Sequence, residues 1–145
     1  MVYFLSLGSN LGEREQTLNN AKQMIEQHIG PITRCSSFYY SAPWGFDSAN
    51  EFCNICCAVE TDLAPMAMLH ATQAIERTLG RTHKSVNGHY TDRTIDIDII
   101  QAYEGEQEIT VNTPELTIPH PLWQQREFVW VPLNEIKEAK KSNKA

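Results

Sequence analysis

Apolar positions along the chain switch between a period of two and a period near 3.6, and the switches mark its elements. Val2 to Gly8 is an apolar run that reads as a first strand. Leu18, Ala21, Ile25 and His28 or Ile29 then recur at helical spacing, which predicts a helix from Arg14 to His28 ended by Gly30-Pro31. Ile32 to Ser41 and Phe52 to Thr61 read as the second and third strands. Pro65 suits a helix's first turn, Met68, Thr72, Ile75 and Leu79 form that helix's inner stripe, and Gly80 closes it. Arg93 to Ile100 places β-branched residues at every second position, so it is expected to be extended. Glu104-Gly105 reads as a hairpin turn, with the partner strand near Glu108 to Val111. Phe128 to Ile136 is apolar, but Pro132 argues against a continuous helix there.

This order is β-α-β-β-α-β with an added hairpin. Two helices against a mainly antiparallel sheet fit an α+β, ferredoxin-like core. Between the elements, Gly8-Ser9-Asn10-Leu11-Gly12 reads as a structural turn, and Ala42 to Asn50 as a turn-rich loop holding Trp44 and Phe46. Thr82 to Asp92 has no periodicity and contains Ser85, Asn87 and Gly88, the composition of a long lid-like loop. Leu116 to Pro121 is a rigid, proline-flanked stretch. A length of 145 residues fits one domain, expected over 1–136, with a Lys-rich tail expected to fray over 137–145.

A hydrophobic share of 41% supports a core, and no apolar run is long enough to span a membrane. Met1 to Leu7 lacks the basic start of a signal peptide, so a cytoplasmic protein is expected, with no membrane contact. The formal charge of -6 argues against general nucleic-acid binding. Arg77, Arg81, Lys84 and Arg93, with His83 and His89 among them, nonetheless form a local basic segment suited to a small anion or to an ordinary solvated helix end. Of the four cysteines, Cys53 and Cys56 have zinc-like spacing, but in a strand they point to opposite faces and no second pair follows. They are expected to be reduced, partly buried thiols.

The richest chemistry lies in Ile95-Asp96-Ile97-Asp98-Ile99. Alternation puts the three isoleucines on one strand face and the two acids on the other, with α-carbons roughly 6.5–7 Å apart. Paired carboxylates repel and resist burial unless a cation sits between them. A divalent ion with oxygen ligands is one explanation, and the solvated face of an edge strand is the other. Mg²⁺ would use the two acids together with substrate phosphates. Arg81 and Arg93, at the two ends of the long loop, carry planar donor forks suited to phosphate. Walker and dinucleotide fingerprints are both absent.

Several separated motifs occur together in one order: Leu7-Gly8-Ser9-Asn10-Leu11-Gly12, Ser36-Ser37-Phe38-Tyr39, Phe52-x-Asn54, Gln73-x-x-Glu76 with Gly80-Arg81, Arg93 to Asp98, Leu116 to His120, and Arg126-x-Phe128. In this set the chain resembles the 6-hydroxymethyl-7,8-dihydropterin pyrophosphokinases of folate biosynthesis, from the first strand to about Leu133. The resemblance implies a ferredoxin-like α/β/α sandwich that passes the terminal diphosphate of ATP to the pterin's hydroxymethyl group and releases AMP. It implies that Asp96 and Asp98 hold two Mg²⁺ ions and that Arg81 and Arg93 bind the triphosphate. Gln73, Glu76, Ile99, Thr117, His120 and Arg126 match ATP-side positions. Phe52 and Phe128 match the aromatics that sandwich the pterin, with Asn54 and Asp96 at its edge. Ser41, Ala42, Trp44 and Gly45 match the loop that lines the pterin pocket.

The chain departs from the family pattern in places. Tyr90-Thr91-Asp92 stands where Trp-Gly-Pro is common, which makes Tyr90 the lid aromatic. His83 replaces a frequent arginine, Glu115 a frequent basic residue, and Pro121 an aromatic. The expected partners are ATP and the pterin alone, bound by a monomer. A metal-dependent nucleotidyltransferase or nuclease would use the Asp pair without Phe52, Phe128 and Asn54. A non-catalytic nucleotide-binding module would not need Arg81, Arg93, Asp96 and Asp98 together.

Overall fold

The computed structural model describes residues 1–10, 13–41, 51–80 and 95–142, with side chains through Lys137. Among the described residues, eight strands and three α-helices follow in chain order, with one short 3-10 helix at Trp123–Gln125: β1 (Val2–Ser9), α1 (Arg14–His28), β2 (Ile32–Cys35), β3 (Tyr39–Ser41), β4 (Phe52–Glu60), α2 (Pro65–Thr78), β5 (Asp96–Glu104), β6 (Gln107–Glu108), β7 (Val111–Asn112), β8 (Thr117–Ile118) and α3 (Glu127–Ser142). The main sheet runs β2-β4-β1-β5-β6, with β3 also on β4, and every pairing is antiparallel.

Alternation along the central strands explains the layers. Tyr3, Leu5 and Leu7 of β1 and Cys53, Ile55, Cys57 and Val59 of β4 face one way. Leu18, Ala21 and Ile25 of α1 and Met68 and Ile75 of α2 cover that face. Phe4, Cys56 and Ala58 face the other way, under Val129, Leu133 and Ile136 of α3. The sheet is thus buried on both sides, which accounts for the nearly unbroken apolar runs of β1 and β4. Cys53 and Cys56 fall on opposite faces, as their odd spacing requires.

Both helices predicted by periodicity are present, and α2 has Pro65 in its first turn and Gly80 at a left-handed φ of 109° just beyond its end. The second predicted strand is instead broken into β2 and β3. Ser36 sits at the break, where its amide donates to the Cys56 carbonyl and its hydroxyl accepts from the Cys56 amide. The hairpin partner is shorter than expected. Gln107 and Glu108 pair with β5 and the Ile109 amide donates to the Ala102 carbonyl at 2.8 Å, while Val111 pairs with Ile118 in a separate two-stranded sheet. A turn in which Thr113 and Leu116 exchange hydrogen bonds returns the chain for that second pairing.

Pro132 does not interrupt the last helix, contrary to the sequence expectation; α3 is continuous around it. An interior proline costs a helix about 3 kcal/mol through the lost N–H and ring clash. Val129, Leu133 and Ile136 are each at most 2% exposed, and burying each such side chain stabilises by about 1.5–3 kcal/mol. Their sum outweighs the proline. α3 also crosses the expected tail boundary: Lys137 donates to Gln101 and lies over the rings of Phe4 and Tyr103, and the helix continues to Ser142. Among the described residues, no helix is long and apolar enough to cross a membrane.

Candidate active site

The three isoleucines of the acidic strand are buried in the core beneath α1 and α2. Asp96 and Asp98 therefore point to the opposite face, where both are half-buried. Strand register extends this face sideways. Asp96 is opposite Gly8, Gly8 is opposite Asn54, and Asn54 is opposite Tyr39. The adjoining row aligns Asp98, Ser6 and Cys56. Residues from four parts of the sequence thus form one lane across the sheet, with the acids at one end and the amide two strands away.

Gly8 makes this lane possible. A β-carbon built there would lie 2.5 Å from Asn54 Oδ1 and 3.7 Å from the Phe52 ring. Gly8 belongs to β1, as the strand expected over Val2 to Gly8 requires, and the strand runs on through Ser9, so the turn expected over Gly8 to Gly12 does not begin at Gly8. Glycine within a strand marks a close approach, a signal present in the sequence that pointed here. Asn54 is 3% exposed, and its amide nitrogen donates to Ser41 Oγ at 3.5 Å. Phe52, two residues earlier and opposite Ser41, shares its strand face.

A bulge in β5 shapes the other side. Leu5 is opposite Ile99 but Phe4 is opposite Gln101, so Ile100 is an extra residue. The freed Ile100 carbonyl accepts from the His120 amide at 2.9 Å, which fixes the segment after β8 to the acidic strand. His120 Nδ1 accepts from the Leu122 amide at 3.2 Å. In the neutral ring the proton is therefore on Nε2, the form that can donate to an anion. Burial lowers the His120 pKa below its usual 6.5, Arg126 lowers it further, and Asp96 opposes both. Asp96, His120 and Arg126 are thus electrostatic neighbours. The Arg126 carbonyl accepts from the Val129 and Trp130 amides and so begins α3, and half-buried Phe128 lies in that helix's first turn.

α2 contributes from beneath the sheet. Glu76 is 6% exposed, and its carboxylate accepts from the Ile97 amide, the peptide between the two acids, at 2.7 Å. This bond ties α2 to the backbone of the acidic strand. Gln73 is exposed one turn earlier on α2, Thr117 is exposed on β8, and the Ile99 side chain is buried in the core. Arg81, Arg93, Tyr90, Ala42, Trp44 and Gly45 lie outside the described residues, as do His83 and the whole lid-like loop.

An antiparallel sheet between helical layers defines an α+β protein, and the paired acids, buried amide and aromatics on one face make that face its candidate small-molecule site. The particular family follows from comparison. The chain belongs to the 7,8-dihydro-6-hydroxymethylpterin-pyrophosphokinase family, whose model matches residues 4–138. It is 46% identical over 137 residues to a 2-amino-4-hydroxy-6-hydroxymethyldihydropteridine pyrophosphokinase of Porphyromonas gingivalis, covering 93% of this chain and 90% of that protein. A Bacillus subtilis protein of the same name is 36% identical over 136 residues, covering 93% of this chain and 77% of the relative. Among solved structures, an HPPK-DHPS in complex with substrates matches with a TM-score of 0.67 at 18% identity, covering 93% of this chain and 40% of that one. That likeness concerns the fold.

Proposed function

We propose that this protein transfers diphosphate from ATP to the hydroxymethyl group of 6-hydroxymethyl-7,8-dihydropterin, releasing AMP, as a step of folate synthesis. The observation that carries the reading is the Asp96–Gly8–Asn54 lane. It sets paired acids and a buried amide on one face, as a phosphate-bearing donor and a flat heterocyclic acceptor require. Membership in the family supplies the two substrates. The strand order β2-β4-β1-β5, with α1 and α2 on one face, supports the ferredoxin-like sandwich.

Two half-buried carboxylates on one strand face suit Mg²⁺, which uses one or two carboxylates and takes its remaining ligands from phosphates and water. Among the described residues, no group of three or more His, Cys, Asp or Glu side chains forms a protein cage for a metal. Asp96 and Asp98 would hold two ions. Bound there, Mg²⁺ supplies charge neutralisation on the phosphates.

In the reaction, the pterin hydroxyl oxygen bonds to the β-phosphorus. The bond from that phosphorus to the bridging oxygen of AMP breaks, and the hydroxyl proton passes to solvent. Asn54 reads the pterin edge, and Phe52 and Phe128 stack on its faces. His120 Nε2 and the Arg126 guanidinium donate to ATP oxygens, and Arg81 and Arg93 bind the triphosphate. Glu76 holds the backbone between the two acids. The enzyme works as a monomer, and catalysis is positioning and electrostatics with no covalent intermediate.

Asp96→Asn and Asp98→Asn test the central acids. Each should lower kcat at least about a hundredfold while leaving the circular dichroism spectrum and thermal midpoint near those of the parent. Parent-like turnover in both variants would remove the acids from the reaction.

A further inference from the structure

The catalytic reading leaves the cysteines unused, and two of them are paired. Cys35 of β2 and Cys57 of β4 are direct cross-strand partners. Their sulfurs are 3.4 Å apart, with the Cys57 thiol donating to Cys35. Side chains directly opposite in an antiparallel pair have β-carbons close to the range a disulfide needs. The pair is also asymmetric. Cys57 is fully buried, whereas Cys35 is half-buried on the edge of the sheet, where a reagent can reach it.

Their surroundings divide the four thiols chemically. Cys35 is brought down from 9.0 to about 7, first by the hydrogen bond from Cys57 and also by Lys22 of α1, against the opposing effects of burial and of Glu135 on α3. Cys57 is pushed up, first by the hydrogen bond it gives to Cys35 and then by burial. Burial pushes Cys53 up to about 11 and raises Cys56 as well. One reachable, acidic thiol beside one buried resolving thiol is the arrangement of an exchange-competent dithiol.

We infer that Cys35 and Cys57 form a thiol–disulfide exchange site whose co-substrate is a small disulfide of the glutathione type. The Cys35 thiolate attacks one sulfur of the disulfide, forming a mixed disulfide and releasing the first thiolate. Cys57 sulfur then attacks Cys35 sulfur. The second small thiol leaves with the Cys57 proton, and a Cys35–Cys57 disulfide remains. The small disulfide gains two electrons and the protein pair loses two. The bond fastens the edge strand to β4, whose other end carries Phe52 and Asn54.

The full reduced chain, incubated folded with oxidised glutathione, tests the assignment. The remaining thiols are alkylated after unfolding, and chymotryptic peptides are mapped by mass spectrometry. Chymotrypsin is suitable because Tyr39, Tyr40 and Phe52 separate Cys35 from the other three cysteines. The expected result is loss of two thiols as one Cys35–Cys57 linkage, with Cys53 and Cys56 alkylated. Oxidation should accelerate as the pH rises through about 7, not through the ordinary thiol value of 9.0. Cys57→Ser should accumulate glutathione on Cys35, and Cys35→Ser should consume no oxidant. Four alkylated thiols in the parent chain, or linkages to Cys53 or Cys56, would overturn the inference. If Cys57→Ser does not fold, the parent map and Cys35→Ser decide.

Discussion

At the scale of single residues, the proposed site rests on an absence of atoms at position 8 and on one proton at position 120. A methyl group at position 8 would collide with the Asn54 amide. Gly8→Ala should therefore raise the pterin KM about tenfold or more, leave ATP affinity nearly unchanged, and cost about 1–3 kcal/mol of stability by overpacking. Steady-state kinetics with each substrate varied would show it, and an unchanged pterin KM would separate Asn54 from pterin recognition. His120 gives a pH signature. Its folded-state pKa lies below the usual 6.5, so the unfolded chain takes up its proton first. Its contribution is fully present above 6.5 and is lost as pH falls through the window just below. His120→Asn should flatten the loss of stability as the pH falls below 6.5, as read from urea midpoints. An identical slope in both proteins would contradict the role of burial at His120.

At the scale of elements, α3 covers one sheet face, begins just after Arg126 and carries Phe128 in its first turn, the two residues assigned to the proposed site. Leu133 is fully buried on its inner side. Leu133→Ala should cost about 2–5 kcal/mol and shift the urea midpoint accordingly. Because the site rides on the same helix, the variant should also bind both substrates more weakly, as isothermal calorimetry would show. Normal affinity despite the lost stability would mean that Arg126 and Phe128 hold their places without the helix. Periodicity revealed α1 and α2 because each has a regular apolar stripe between clear stop signals. It does not reveal the continuity of α3, because the cost of Pro132 is local while the burial of Val129, Leu133 and Ile136 that offsets it is tertiary. The interruption between β2 and β3 was hidden for a similar reason: Ser36 satisfies the Cys56 backbone from its side chain, a contact across 20 residues.

For the whole molecule, sequence alternation was sufficient to separate Ile95, Ile97 and Ile99 from Asp96 and Asp98, because side-chain direction in a strand is local. What stands beside the acids is decided by register with β1 and β4, which is long-range. Asn54 is legible only as part of an ordered set of motifs, and Gly8 stands in the sequence as both strand end and turn start, its opposition to Asn54 being a matter of long-range register. The β5 bulge and the His120 bond to Ile100 had no sequence signal at all. Together these parts support the proposal that the phosphorus attacked is the β-phosphorus of ATP. The most direct test incubates the pure protein with ATP, Mg²⁺ and 6-hydroxymethyl-7,8-dihydropterin and separates the nucleotide and pterin products. Attack at the β-phosphorus yields AMP and pterin diphosphate in equal amounts; ADP or inorganic phosphate as the main product would contradict it.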